Sequence, residues 1–224
     1  MSKVKVFAFS ISLDGFGAGP RQDLHNPLGI RGLELHNWFF LTETFKRIQG
    51  QPAGQSRGST GVDNDIAAQS FENVGAWILG RNMFGPVRGP WVLDPKAESW
   101  NGWWGPNPPF HTPVYVLTHH ERQPLVMEGG TTFYFVTRGT ESALQKARNA
   151  ANGKDVRIGG GVSTIRQFLL DGHIDEVHLA LSPVLLGEGE NLLSGINLPQ
   201  LGFTVSRTIA GENATHIFIE RKPQ

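Results

Sequence analysis

The chemistry this chain could perform gathers where a short apolar strand, Val156 and Ile158, runs into Gly159, Gly160 and Gly161 and then into Val162, Ser163 and Thr164. Backbone without side chains lets an anion approach closely. The N–H groups of a first helical turn then point at it, with the helix dipole behind them. The hydroxyls of Ser163 and Thr164 add two donors. A tight strand-to-helix turn, in which glycine only relieves crowding, accounts for one or two glycines; three followed by Val-Ser-Thr favour a phosphate. Other polar groups stand at element ends. Gly80, Arg81 and Asn82 follow an apolar run, and the planar fork of Arg81 matches a phosphate, although a surface arginine at a strand end reads the same way. Thr118, His119, His120 and Arg122 form a basic cluster after another strand. Metal binding by His119 and His120 is disfavoured there, because adjacent strand residues point to opposite faces. Glu34, His36 and Glu43 are the ionisable groups of the first helical stretch, where a solvated face is the plain alternative to a proton-handling role. Ser12-Leu13-Asp14-Gly15 closes the first strand in a turn-forming pair.

These groups need a frame. Residues 3–13 alternate with apolar side chains on both faces, as a central strand with layers on each side does. Residues 32–48 read as one helix with a broad apolar face that Phe40 and Leu41 widen. Asp63 or Asn64 is positioned to cap a helix reaching about residue 73. Strands are expected over 76–79, 112–119, 132–137 and 176–182. Helices are expected over 141–151, capped by Thr140 and stopped by Asn152-Gly153, and over 163–170, ended by Gly172. Residues 203–209 and 215–221 pair as an antiparallel hairpin around Gly211-Glu212-Asn213. Strands alternating with helices and closed by that hairpin predict a three-layer α/β/α sandwich with a mixed, mostly parallel sheet.

Composition narrows the partners. The 224 residues are 39% hydrophobic and 18% charged with zero formal net charge, which suits one globular domain and offers no basic footprint for nucleic acid. The absence of cysteine excludes disulfides, thiol catalysis and cysteine zinc sites, and suits a reducing cytoplasm. No stretch is long and apolar enough to span a bilayer, and the N-terminus enters a strand without a signal-peptide core, so a soluble chain is expected. Glycine and proline crowd residues 15–32, 50–61 and 85–113, which read as long loops on a single domain covering 1–224. The last of these carries Trp91, Trp100, Trp103 and Trp104, which could stack on a flat heterocycle, form a subunit interface, or weld the loop down.

The run from the glycine nest through Asp175-Glu176, Pro183 and Leu186-Gly187-Glu188-Gly189 resembles the C-terminal half of the dihydrofolate-reductase-like superfamily. It is closest to the branch holding the reductase domain of the bifunctional riboflavin-biosynthesis deaminase/reductase. The element order matches over nearly the whole chain, and the motifs are dense only in the second half. The resemblance implies an NADPH-dependent reductase that transfers hydride to a C=N or C=O bond of a pteridine- or flavin-precursor-like small molecule. It places the pyrophosphate at Gly159, Gly160, Gly161, Val162, Ser163 and Thr164. Gly80, Arg81 and Asn82, with Thr118, His119, His120 and Arg122, would hold the adenosine end and its 2′-phosphate. The loop opened by Ser12, Asp14 and Gly15 would cover the nicotinamide. Glu34 and His36 are the candidates for the substrate proton, though neither sits in a family pattern. Relatives of this branch are commonly homodimers.

Two rivals follow from the same residues. A Rossmann dehydrogenase fits worse, because position 164 is Thr where the fingerprint needs its third glycine and the nest lies late in the chain. A non-catalytic protein that keeps the fold and the nucleotide is the rival of a different class. The deaminase activity of the bifunctional enzyme is excluded with the cysteines its zinc would need.

Overall fold

The computed structural model describes residues 2–51, 58–85, 89–91 and 99–222, so parts of the expected loops at 50–61 and 85–113 lie outside the described residues. In chain order the elements are β1 (Val4–Ser12), β2 (Phe16–Ala18), a 3-10 turn (Gly32–His36), α1 (Asn37–Phe40), α2 (Glu43–Ile48) and α3 (Val62–Gln69). Then come β3 (Val74–Gly80), α4 (Arg81–Phe84), β4 (Pro113–Leu117), β5 (Leu125–Val126), a 3-10 turn (Glu128–Gly130), β6 (Thr132–Val136) and α5 (Gly139–Ala151). The chain closes with β7 (Asp155–Gly160), α6 (Val162–Leu170), β8 (Glu176–Ser182), β9 (Glu190–Asn191), β10 (Phe203–Ala210) and β11 (Thr215–Arg221).

The chain forms two compact units interleaved in sequence. One comprises Met1–Val6, Asp23–Pro27 and Asn73–Ile174; the other comprises Phe7–Gln22, Leu28–Glu72 and Asp175–Gln224. The first unit is a parallel sheet in the order β1-β7-β3-β4-β6, with β5 antiparallel at its edge. Its strands are nearly continuous apolar runs, with Ala76, Ile78, Leu79, Val114, Val116, Val156 and Ile158 all buried, as expected of parallel strands covered on both faces. Helix α5 buries Ala143, Leu144, Ala147 and Ala151, one face at helical spacing, against β3, β4 and β7. Helix α6 buries Val162, Ile165, Phe168 and Leu169 against β7 and β3. At the N-terminal end of β7, Asp155 accepts from the Lys3 N–H and the Asn73 amide, and pairs with Lys5 Nζ at 2.7 Å.

The second unit has the strand order β10-β11-β8-β1, with β10, β11 and β8 antiparallel, and a small β2-β9 ladder beside it. Its core joins Trp38 of α1 and Ala67 of α3 to Ala180 of β8 and Ala214 ahead of β11, with Ala8 and Phe39 packed against it.

Three expectations change. The helix over 32–48 is broken into a 3-10 turn and two short helices, because the Thr42 side chain accepts the Phe45 N–H and starts a new helix with Thr42 in an extended conformation. The N-cap of α3 is Gly61 rather than Asp63 or Asn64; its first N–H groups, of Val62 and Asp63, donate to the carboxylate of Glu212. Helix α5 begins after Arg138 without a side-chain cap, and Thr140 Oγ1 instead donates to Asp171. Its stop is as read, with Asn152 in the left-handed region at φ 49°.

Candidate functional site

In the first unit, β7, β3 and β4 run parallel with β3 between the other two, so their C-terminal ends deliver Gly160-Gly161, Gly80-Arg81 and Leu117-Thr118 to one edge. The C-terminal edge of a parallel sheet is where loops and helix starts are free to bind a ligand. Thirteen of the residues singled out in the sequence gather there.

The three glycines have three different reasons. A Cβ on Gly159 would press on Leu79 Cδ2 and Met83, so this position serves close packing. Gly160 has φ 133°, a backbone region that side chains disfavour, and its peptide to Gly161 is cis. Gly161 is the N-cap of α6, at φ −72° and ψ −167°, with no side chain supplying the cap. A Cβ there would meet nothing within 4 Å. The position over the Gly161 Cα is therefore open, at the start of a helix whose first-turn N–H groups, of Val162, Ser163 and Thr164, cannot be satisfied within the helix. Ser163 is exposed beside that space. Thr164 is buried, and a Cβ on Gly80 would collide with its Oγ1. Gly80 is thus the gap through which α6 approaches β3.

The basic residues are already engaged. The guanidinium of Arg81 lies 3.2 Å from the centroid of the Trp91 ring, donates to Thr118 Oγ1 at 3.0 Å, and donates to the Gly89 carbonyl at 3.2 Å. Arg122 donates to the Trp100 carbonyl at 2.7 Å and lies 4.7 Å from the same Trp91 ring. Trp91 Nε1 donates to the His120 carbonyl, and the His120 N–H donates to Thr118 Oγ1. The tryptophans have three roles open to them by sequence: stacking on a heterocycle, a subunit interface, or welding the loop down. For Trp91 and Trp100 the contacts weld the segment down, onto Phe84 and Phe135. His119 is the exposed member of the cluster, and Asn82 is half-buried on the first turn of α4.

The remaining candidates belong to the second unit. Ser12 is buried, and its Oγ accepts the Phe16 N–H. The Asp14 carboxylate accepts from the N–H groups of Leu186 and Gly187, at 3.2 and 2.7 Å. Bonding to Ser12 and those two backbone groups outweighs its desolvation and holds it below the usual carboxylate range. Gly15 has φ 87° and lies against the Asn191 amide, which donates to the Asp14 carbonyl. These residues fasten the loop after β1 to the Leu186–Gly189 turn, written in sequence as LGEG.

Glu34 forms a two-point ion pair with Arg31, each N···O distance 2.9 Å, and Arg31 also donates to the Leu185 carbonyl. Hydrogen bonding to Arg31 keeps this carboxyl below its ordinary range and therefore ionised. His36 is partly exposed as a residue, but its Nδ1 is enclosed and makes no hydrogen bond. Desolvation pushes the imidazole down to about 4, so it is neutral at pH 7. Neither candidate stores a proton to donate at neutral pH.

A family model described as the RibD C-terminal domain matches residues 4–215. The chain belongs to that family. Among solved structures, a putative riboflavin biosynthesis protein from Shewanella sp. PV-4 is 24% identical over 100% of both chains, with a TM-score of 0.55. A diaminohydroxyphosphoribosylaminopyrimidine deaminase/5-amino-6-(5-phosphoribosylamino)uracil reductase from Thermotoga maritima is 14% identical over 99% of this chain and 57% of its own, with a TM-score of 0.52. RibD from Acinetobacter baumannii is 16% identical over 100% of this chain and 59% of its own, also at 0.52. The chain thus spans less than two thirds of those last two. No curated protein matches significantly. At these identities the structural neighbours carry the fold, which is mixed α/β with a mostly parallel sheet.

The second unit of this RibD C-terminal domain also holds a polar constellation that sequence reasoning did not single out: Asp63, His178 and His216, all buried. The signal was weak. Each histidine sits in a strand whose neighbouring residues alternate, and nothing in the sequence pairs residue 63 with residue 216.

Proposed function

We propose that the chain is a reductase that uses NADPH to deliver hydride to a C=N or C=O bond of a small, flat, polar heterocycle. The observation that carries this reading is the open position over Gly161, the N-cap of a nine-residue helix that starts without a side-chain cap at the C-terminal edge of a parallel sheet. Membership in the RibD C-terminal domain family supports it, as does the reductase named among the structural neighbours. When bound, the dinucleotide supplies the hydride; positioning and electrostatics fall to the protein.

In this reading Val162, Ser163 and Thr164 donate backbone N–H groups to the pyrophosphate, with the exposed hydroxyl of Ser163 beside them. Gly80 lets α6 sit close enough to β3 for that turn to face the edge. Arg81, braced on Trp91 and Thr118, supplies fixed positive charge, and His119 is the exposed group for a 2′-phosphate. Asp14 and Gly15 hold the loop after β1 closed on the Leu186–Gly189 turn. Glu34 and His36 take positioning roles, and solvent supplies the proton. The reading includes a homodimer in the cytoplasm; sizing by light scattering tests the assembly. Among the described residues no helix is long and apolar enough to cross a membrane.

One observation favours a second reading, a nucleotide-binding protein that reduces nothing: Glu34 is ionised in an ion pair and His36 is neutral. Titration with NADPH and NADH, followed by turnover of pteridine and flavin-precursor substrates, separates the two. Selective NADPH binding with oxidation of the nucleotide supports the reductase, and binding without turnover supports the alternative.

A further inference from the structure

The second unit contains a chain of hydrogen bonds with no exposed end. Asp63 in the first turn of α3, His216 on β11 and His178 on β8 are 1%, 0% and 1% exposed. His216 Nε2 lies 2.9 Å from Asp63 Oδ1, and His216 Nδ1 lies 3.1 Å from His178 Nε2. The chain ends where the Ala8 N–H meets His178 Nδ1 at 2.9 Å. Asp63 Oδ2 accepts from the Asn213 N–H at 2.8 Å and from the Asn213 side-chain amide at 3.1 Å. The rings are clamped by aromatic neighbours: His178 is 4.6 Å from Phe7 and 4.5 Å from Phe218, and the Trp38 ring stands edge-on to His216 at 5.0 Å.

Donor and acceptor roles follow from one end. A backbone N–H only donates, so His178 Nδ1 must be bare and its proton must be on Nε2. That proton points at His216 Nδ1, which must therefore be bare as well, leaving the His216 proton on Nε2. It is donated to Asp63 Oδ1. Oδ2 faces two further donors, so the carboxyl has no room for a proton on either oxygen and accepts as the anion. Each bond has one donor and one acceptor, in a single sense from His178 to Asp63. Reversing any link sets two N–H groups face to face.

We propose that Asp63, His216 and His178 are a proton-ordered clasp that holds strand β1 in its interrupted conformation at Ala8. Ala8 has φ 51°, a left-handed geometry that an alanine disfavours, in the middle of a nine-residue strand. Its N–H is the group the clasp grips. The strand beyond it carries Ser10, whose Oγ accepts from Trp38 Nε1, and Ser12, whose Oγ accepts the Phe16 N–H at the start of the loop. An interruption of this kind re-aims the residues that follow it. With no exposed end the clasp conducts no proton to solvent; its role is to position β1. The inference rests on the second unit alone and stands whether or not the protein binds a nucleotide.

Long-range 1H–15N correlation of the histidine rings at pH 7, without nucleotide, tests it. Both His178 and His216 are expected as Nε2–H tautomers with bare Nδ1. An Nδ1–H form or an imidazolium at either ring overturns the proposal. His178→Phe removes the acceptor while keeping a flat ring between Phe7 and Phe218. Hydrogen exchange at the Ala8 amide should then accelerate at least about tenfold, while the amides of α5 in the other unit keep their protection. Unchanged Ala8 exchange in a folded variant also overturns it. Should the variant fail to fold, the wild-type tautomers decide.

Discussion

Gly80→Ala isolates the contact that brings α6 onto β3. Gly80 has φ −76° and ψ 158°, a conformation that alanine adopts without strain, so any cost comes from space. The added Cβ would collide with Thr164 Oγ1 and reach 3.4 Å from the Gly161 nitrogen. Gly80 and Thr164 are both buried, and the atom in the way belongs to a short, β-branched side chain. Overpacking of this kind costs about 1–3 kcal/mol. Replacing glycine stiffens the unfolded chain and returns about 0.4–1 kcal/mol. The net loss is therefore about 1–2 kcal/mol, read as a lowered urea midpoint with an unchanged slope. Thr164→Ala alone removes a buried methyl and hydroxyl and costs about 1 kcal/mol. In the double variant the collision is gone and the unfolded-chain gain remains, so its loss should fall about 0.4–1 kcal/mol below that of Thr164→Ala alone, and the cycle should show a coupling of about 1–3 kcal/mol. Losses that add within about 0.5 kcal/mol would refute the argument that Gly80 exists to admit Thr164.

Other outcomes follow from the charged groups. Desolvation raises the Asp155 carboxyl, but bonding from Lys5 and Lys3, the Lys5 charge and the Asn73 amide outweigh it, and the net shift is downward. Its stabilisation is present above the unfolded value of about 4 and is lost as pH falls through the lower folded value. Asp155→Asn should flatten the acid limb of a stability–pH curve below about pH 4, and an unchanged limb would contradict the assignment. His36, pushed down to about 4 by burial, binds its proton in the unfolded chain first. Stability should therefore decline from about pH 6.5 toward pH 4, by at most about 3 kcal/mol, and His36→Phe should remove that slope. Glu34→Gln should lower turnover by much less than the roughly hundredfold loss expected of a general acid. A loss of that size would return Glu34 to a proton-donating role.

How legible the fold was depended on range. Strand β8 spans 176–182 as its alternation between turn residues indicated, and β11 spans 215–221 as read. The glycine nest could be read because its meaning is local: a strand, three residues without side chains and a helix start. Interruptions that depend on remote partners were not legible. Helix α3 is capped by Glu212, about 150 positions away in the chain, so Asp63 looked like a cap when its side chain is buried against His216 and Asn213. The unusual width of the apolar face at Phe40 and Leu41 was the one sign that 32–48 is not a single helix. Phe40 stacks with His36 and meets Phe45 in a tilted contact across the break. Arg81 and Arg122 were read as phosphate ligands from their type, their place after strands and the family resemblance. Their anchorage on Trp91 and Trp100 needed the chain to bring the segment back over α4.

The most direct test of the nucleotide reading is the affinity of wild type and Gly161→Asp for NADPH, followed by nucleotide fluorescence. Gly161 at φ −72° tolerates a side chain, and a Cβ there meets no protein atom within 4 Å, so this variant should fold as wild type does. Its carboxylate would fill the space in front of the α6 N–H groups with the wrong occupant. Micromolar or tighter binding by wild type, weakened at least about a hundredfold in a folded Gly161→Asp, is the predicted result. Absence of binding by wild type, or equal binding by both, would contradict a phosphate site at this turn.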